Sequence, residues 1–106
     1  MNKNNATLHI VYLRFGTHRD RATEFMDEHV DWIRGGIDEG AFLCAGSLQD
    51  HQGGVVIAFG LEEEALDRRL AEDPFVAHGV VAVEKVPVSV GLMQDALRAS
   101  WSPRTT

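Results

Sequence analysis

Two segments of the sequence are apolar on both faces of an expected β-strand, and this feature constrains the fold most. Along residues 7–15 the apolar side chains divide between two faces, with Leu8, Ile10 and Tyr12 on one and Val11, Leu13 and Phe15 on the other. Residues 55–59, Val-Val-Ile-Ala-Phe, repeat the pattern. A strand of this kind lies inside a sheet that is covered on both sides. The sequence therefore predicts two central strands.

The segment between these strands changes to a helical period. From Asp20 to about Asp38 the apolar residues recur every three or four positions and predict one buried stripe, made of Ala22, Phe25, Met26, Val30, Ile33 and Ile37. A second, shorter helix is expected after residue 61, because three consecutive glutamates place negative charge where a helix N-terminus favours it. Both helices are therefore expected to be amphipathic.

Two further strands complete the pattern. Residues 41–48 and 54–60 flank a polar, glycine-ended connection and are expected to pair as an antiparallel hairpin. The last strand is expected over about residues 80–90, where the alternation slips at Glu84-Lys85 and predicts a bulge. Pro87 cannot donate a backbone hydrogen bond, so this strand belongs at an edge of the sheet. A helical extension is expected over about residues 91–100.

The order strand, helix, strand, strand, helix, strand predicts an α+β, ferredoxin-like βαββαβ fold. Its four-stranded antiparallel sheet has strands 1 and 3 at the centre and both helices on one face. A chain of 106 residues makes one domain, expected to span residues 1–106 with its core at about 7–90. No remaining segment is large enough to cover the second apolar face. We therefore expect a homodimer in which two open sheet faces form a shared, barrel-like core.

Charge and cysteine content narrow the classes of partner. The formal charge is −6 and there are only two lysines, so no basic stripe exists for a nucleic acid. The single cysteine, Cys44, excludes an internal disulfide and any zinc site with two thiolates, and it favours a reducing compartment. The N-terminus is polar, and no uncharged run approaches the roughly 20 residues that span a bilayer. We expect a cytoplasmic protein without membrane association.

His29 and Asp73 are the main candidates for chemistry. His29 lies four residues after Phe25 and four before Ile33, so it interrupts the apolar stripe of the first helix. It is either a core histidine bonded to a carbonyl or a pocket imidazole suited to general base catalysis. Asp73 precedes Pro74, where its carboxylate is expected to cap a short helix over residues 74–78. The topology lets this carboxylate approach and orient the imidazole, and the two roles are compatible.

Other candidate residues have weaker patterns. His78 either joins that site or faces water, and Ser47 either offers its hydroxyl to a ligand or ends a strand. Cys44 is expected to be a small buried hydrophobic residue. Three more histidines are expected at surface or loop positions: His9, His18 and His51. No Ser-His-Asp spacing, phosphate loop or dinucleotide motif is present, and the spacing of His29, Asp73 and His78 does not predict a metal site.

Four ordered motifs resemble the YciI-like, or YCII-related, family. They are Glu28-His29-Val30-Asp31-Trp32, residues 40–50 (Gly-Ala-Phe-Leu-Cys-Ala-Gly-Ser-Leu-Gln-Asp), Gly53-Gly54-Val55-Val56-Ile57, and Asp73-Pro74-Phe75 before a valine-rich strand. The similarity spans about residues 7–90. The chain departs from the family pattern at Ser47, where a Gly-Pro step is common, and in its extension past Gly91. The resemblance therefore implies a fold and a set of site residues, but it does not identify the substrate.

The resemblance implies a dimeric α+β barrel with a pocket lined by His29 and Asp73. Activities in the family include dehydrochlorination of a chlorinated, hydroxylated aromatic compound. We therefore expect a small enzyme without cofactor or metal, in which the pair performs general acid/base elimination or isomerisation of a small apolar or aromatic metabolite. Four residues are expected to bind the substrate: Tyr12, Ser47, Phe75 and His78. The alternative is a non-catalytic dimeric module that binds a small molecule or serves a larger assembly.

Overall fold

The computed structural model describes the backbone of residues 7–101 and the side chains of residues 7–98. In chain order the elements are β1 (Thr7–Phe15), a 3₁₀ turn (Arg19–Arg21), α1 (Ala22–Asp38), β2 (Phe42–Ser47), β3 (Gly53–Phe59), α2 (Glu63–Ala71), α3 (Pro74–Ala77), β4 (Val81–Ser89) and α4 (Asp95–Trp101). The strands form one antiparallel sheet in the order β2-β3-β1-β4. The predicted ferredoxin-like α+β fold is confirmed, with β1 and β3 at the centre.

The core lies between one face of this sheet and the helices α1, α2 and α3. Successive strand residues point to opposite faces, so alternate side chains of β1 and β3 enter the core. These are chiefly Val11, Leu13, Val56 and Ala58. The helices and β2 supply Leu66, Leu70, Phe75 and Phe42. All eight side chains are nearly inaccessible to solvent, so this layer is a continuous apolar core.

The other face of the sheet is also apolar, and the three core helices all lie on the opposite side. Its half-buried side chains are Leu8, Ile10, Val55, Ile57, Val86 and Val88. At one end of this face, residues 90–93 and Leu97 line an open cavity of about 270 Å³ together with Leu8, Leu43 and Val88. Within residues 7–101, no helix has the length and apolar character needed to cross a membrane.

The side of α1 that faces the core differs from the prediction. The core-facing residues are Ala22, Phe25, His29, Trp32 and Gly36. Met26 and Ile37, predicted to be buried, are 41% and 42% exposed. The helix carries two adjacent apolar stripes, and the 3.6-residue period does not decide which of them lies innermost. That choice depends on the sheet beneath.

The bulge predicted in the last strand is wrong. β4 pairs with β1 along its whole length without a register shift. The alternation slips because Lys85 points to the helix side, where its ammonium binds Asp67 and Glu63 of α2. These hydrogen bonds raise the pKa of Lys85, so the side chain remains charged at neutral pH. β4 is an edge strand, as Pro87 indicated.

Four further details differ from the predictions. The register shift of the sheet lies in β2, between Phe42 and Cys44. Cys44 is consequently exposed rather than buried, because it pairs with Ile57 on the open face. His9 lies in the core at 3% exposure instead of at the surface. The last helix begins at residue 95, four residues later than expected.

Two adjacent glycines of α1 provide a matched test of core packing. A Cβ added to Gly36 overlaps the buried Phe42 ring, whereas a Cβ added to Gly35 meets nothing within 4 Å. We expect Gly36→Ala to lower the free energy of unfolding by about 1–3 kcal/mol through overpacking. Gly35→Ala should raise it by about 0.5–1 kcal/mol through helix propensity. Urea denaturation measures both changes, and shifts of the same sign would contradict this packing.

Candidate functional site

A buried hydrogen bond joins the two candidate residues. Asp73 is fully buried at the start of α3, and His29 lies on the core-facing side of α1 at 8% exposure. His29 Nδ1 is 2.7 Å from Asp73 Oδ1. The same Oδ1 accepts the backbone N–H of Phe75 at 3.0 Å. A single carboxylate oxygen therefore caps α3 and binds the imidazole.

This contact determines the tautomer of His29. An ionised carboxylate only accepts hydrogen bonds, so Nδ1 carries the proton when Asp73 is charged. The lone pair of the neutral ring is then on Nε2. The Phe75 ring stacks on the imidazole with centroids 3.9 Å apart and planes 5° from parallel. The carboxylate and the aromatic ring together hold the imidazole in one orientation.

The second oxygen of the carboxylate is enclosed without a partner. Asp73 Oδ2 is buried, and no hydrogen-bond donor within the described residues reaches it. The site therefore contains a carboxylate whose main specific partners are His29 and the start of α3.

A cavity of about 430 Å³ lies beside His29, between α1, the sheet and the β2–β3 loop. Small-molecule sites commonly have volumes of about 300–1,000 Å³. Its apolar wall consists of Leu13, Phe15, Met26, Val30, Ile33 and Phe75. On the hairpin side, three glycines present bare backbone: Gly46, Gly53 and Gly54. The second apolar stripe of α1, which includes Met26, Val30 and Ile33, is thus one wall of this cavity.

The structure brings some of the expected substrate-binding residues together and separates others. Ser47 and Phe75 line the cavity with His29. Tyr12 does not, because strand alternation places it on the open face, where the Arg14 guanidinium lies 4.5 Å from its ring centroid. His78 also lies outside the lining and stacks on Phe25 with centroids 4.1 Å apart. The assignment of Tyr12 and His78 to this cavity is corrected.

The separation of His78 from the pair also bears on metal binding. His29 and Asp73 form a two-residue contact, and His78 is held against an aromatic ring elsewhere. Among the residues that the structure describes, no three His, Cys, Asp or Glu side chains are grouped so as to hold a metal ion.

Two polar residues of the cavity were missed by the sequence analysis. Arg19 lies at its rim, and its Nη2 donates to the carbonyl oxygen of His51 at 2.8 Å. His51 has a φ of 64°, the left-handed conformation that hairpin turns often require. The polar, glycine-ended sequence of residues 49–53 already indicated a turn that contains His51. No local pattern indicated Arg19, because it reaches the cavity from a different segment.

The match to a family model follows the same elements. The model of the YCII-related domain matches residues 4–89. The chain belongs to the YCII-related family. This confirms the resemblance on which the sequence analysis drew. A comparison with curated proteins gives no significant match.

Two of the solved structures similar to this chain are enzymes. This YCII-related chain is similar to 5-chloro-2-hydroxyhydroquinone dehydrochlorinase (TftG) from Burkholderia phenoliruptrix in complex with 2,5-dihydroxybenzoquinone, with a TM-score of 0.64 and 12% identity over 81% of this chain and 95% of that chain. It is also similar to SnoaB, a cofactor-independent oxygenase from Streptomyces nogalater, with a TM-score of 0.45 and 13% identity over 82% and 94%. At this identity the likeness to TftG shows the shared fold.

Removal of the Asp73 carboxylate tests how much it contributes to the free energy of unfolding. Asp73→Ala deletes the α3 cap and leaves Nδ1 of His29 buried without an acceptor. We expect the free energy of unfolding to fall by about 2–4 kcal/mol, from a lost cap of about 1 kcal/mol and an unpaired buried donor of about 1–3 kcal/mol. Asp27→Ala, at an exposed position of α1, should change it by less than about 0.5 kcal/mol. Similar urea midpoints for the two variants would argue against the buried pair.

Proposed function

We propose that this YCII-related protein is a cofactor-independent enzyme in which His29 acts as a general acid/base and Asp73 orients it. The observation that supports this proposal is the placement of His29, bound through Nδ1 to a buried carboxylate and bordering a cavity of small-molecule size. The substrate is a small apolar or aromatic metabolite, since most of the lining is apolar. TftG is a dehydrochlorinase, and its shared fold supports elimination as the first reaction to test.

The imidazole performs both halves of the proton transfer. The Nε2 lone pair removes a proton from an O–H or C–H group of the substrate, and the resulting imidazolium is stabilised by the Asp73 carboxylate through Nδ1–H. In an elimination, the electron pair left behind forms a new π bond, and the leaving group departs with its own pair. In an isomerisation, the imidazolium returns the proton to another carbon. Neither reaction changes the oxidation state of the protein.

The surroundings of the pair favour this role for His29. Asp73 is fully buried, and the Phe75 ring covers one face of the imidazole. Electrostatic interactions strengthen where water is excluded, so the carboxylate stabilises the imidazolium more than it would at an exposed site. A positioned base of this kind contributes about 10²–10⁴-fold to a reaction rate. That range sets the size of effect to expect when His29 is replaced.

Substitution of His29 tests the catalytic proposal. The assay follows chloride release and ultraviolet absorbance with a set of chlorinated hydroxyhydroquinones, including the compound named for TftG. We expect the wild-type protein to convert at least one of them and His29→Gln to lower kcat by about 10²–10⁴-fold, because glutamine fills the site without a titratable nitrogen.

Thermal unfolding of His29→Gln and circular dichroism serve as controls for folding. Asp73→Asn retains an oxygen for the Phe75 N–H and should reduce kcat less than the loss of the imidazole does. A His29→Gln variant that is folded and as active as the wild type would refute catalysis by this residue. A variant that only lost thermal stability would favour the non-catalytic module.

The apolar open face supports a homodimer as part of the same proposal. Six side chains of three strands form it, and α1, α2 and α3 all pack on the other side of the sheet. Removing apolar area from water is favourable by roughly 25 cal/mol per Å², and this gain opposes the entropic cost of association. Membership of the chain in the YCII-related family, whose resemblance implies a dimeric α+β barrel, supports the same arrangement. A second copy of this chain is the partner whose surface matches by symmetry.

Light scattering after size-exclusion chromatography tests the dimer. We expect a mass of about 23 kDa, twice the 11.7 kDa of one chain. Ile57→Glu places a charge in the centre of the open face and should shift the mass to that of one chain, because an unpaired buried charge opposes association. Thr23→Glu, at an exposed position of α1, should leave the dimer intact. A wild-type protein of single-chain mass at micromolar concentration would contradict the dimer.

The proposed location follows from the composition. The lone cysteine is exposed and has no partner with which to form a disulfide within the chain. A reducing compartment keeps such a thiol free. We therefore place the protein in the cytoplasm, with a small metabolite as its ligand and neither nucleic acid nor membrane as a partner.

A further inference from the structure

The cavity beside His29 carries a cation at its rim. Arg19 lines the cavity from the 3₁₀ turn and reaches the β2–β3 loop, where it donates to the carbonyl oxygen of His51 at 2.8 Å. Its guanidinium carbon lies 4.6 Å from the centroid of the Phe15 ring. A guanidinium has five N–H donors, and this carbonyl uses one of them. Arg19 is thus held at two points while several donors remain for a ligand.

Within the described residues the charge of Arg19 has no carboxylate partner, in contrast to four other cationic side chains. Four other cationic residues pair with carboxylates, namely Arg14, Arg21, Arg69 and Lys85. Among residues 7–98, no carboxylate forms an ion pair with Arg19. Asp50, beside His51 in the loop, uses its Oδ1 to accept the backbone N–H of Gln52 at 2.9 Å. In a chain of formal charge −6, this positive charge is left facing a cavity.

The loop that holds Arg19 is itself fixed by backbone hydrogen bonds. The His51 N–H donates to the Leu48 carbonyl at 3.0 Å, and the Gln52 carbonyl accepts the Phe15 N–H at 2.9 Å. His51 adopts a left-handed backbone, the one non-glycine residue with positive φ in the described part of the chain. These contacts place the His51 carbonyl where Arg19 binds it. The guanidinium is therefore positioned before any ligand arrives.

We propose that Arg19 is the anion-binding residue of this cavity and that the substrate is an aromatic compound carrying an anionic oxygen group. The planar guanidinium binds that group, and the apolar wall formed by α1, β1 and Phe75 contacts the ring. The identity of this ligand as a substrate rests on the proposed catalytic role of His29. Anion binding by Arg19 does not depend on that role.

The same arrangement assists the proposed proton transfer. When His29 removes a proton from the bound molecule, the molecule gains one negative charge. A guanidinium already oriented at the cavity rim stabilises that charge without reorganising. Arg19 therefore favours both the binding of an anionic aromatic compound and the charge that develops on it.

A pair of isosteric probes separates charge from shape. We would measure the Kd of 4-hydroxybenzoate and of 4-hydroxybenzamide for the full chain by isothermal titration calorimetry, and follow the His29 ring signals by NMR. We expect the anion to bind about tenfold more tightly, as for a charge-assisted contact at a partly exposed site. The His29 signals should shift, and the advantage should shrink as salt is raised.

Four variants test which residue is responsible for the preference. Arg19→Gln should abolish the preference for the anion. Arg21→Gln should retain it, since Arg21 pairs with Glu24 and lies outside the cavity lining. His51→Gly should also retain it, because glycine suits the left-handed backbone and keeps the carbonyl that holds Arg19. Arg19→Lys, which keeps the charge without the planar fork, should show an intermediate preference.

Several outcomes would overturn the proposal. Equal affinity of the wild type for the two probes would contradict the presence of an anion site. An unchanged preference in folded Arg19→Gln would contradict the role of Arg19 in anion binding. Loss of the preference in His51→Gly but not in Arg19→Gln would assign anion binding to the His51 imidazole instead.

The outcome is independent of the catalytic test. An anion preference that depends on Arg19, together with an active His29→Gln variant, would leave the anion site standing and refute the catalysis. An anion preference that does not depend on Arg19, together with an inactive His29→Gln variant, would refute the anion site and leave the catalytic proposal standing.

Discussion

The hydrogen bond between His29 Nδ1 and Asp73 Oδ1 connects the parts of the fold on which the site depends. It joins α1 to the start of α3 across 44 positions of sequence. Because the same oxygen accepts the Phe75 N–H, one atom both begins a helix and sets the tautomer of an imidazole. The orientation of His29 is therefore coupled to the local folding of α3. A site built in this way needs no additional loop to position its base.

The molecule has more apolar surface than a single core requires. In α1, one stripe packs into the core through Phe25 and Trp32, and the neighbouring stripe, with Met26 and Val30, forms a cavity wall. In the sheet, one face builds the core and the other remains open. In our proposal each excess surface has a separate role: the first shapes a space for a small molecule, and the second is the area that a second copy of the chain covers.

The cationic side chains of this protein differ in the kind of partner that they bind. Lys85 joins β4 to α2 through two carboxylates, whereas Arg19 is held by a carbonyl and an aromatic ring at the cavity. The backbone likeness to TftG at 12% identity shows that this fold tolerates extensive change in its side chains. Because one fold supports many activities, we expect specificity to reside in the few side chains that meet at the cavity.

Local patterns in the sequence were sufficient to predict the order and type of the elements, the edge position of β4 and the candidates His29 and Asp73. These features depend on neighbouring residues, through hydrophobic period, proline geometry and helix capping. The choice between the two stripes of α1 and the contact of Arg19 with His51, 32 positions apart, came only from packing in three dimensions. Such contacts depend on how the sheet and its connections meet in space, which no local period specifies. For the same reason, Tyr12 and His78 were expected at a cavity from which the folded chain directs them away.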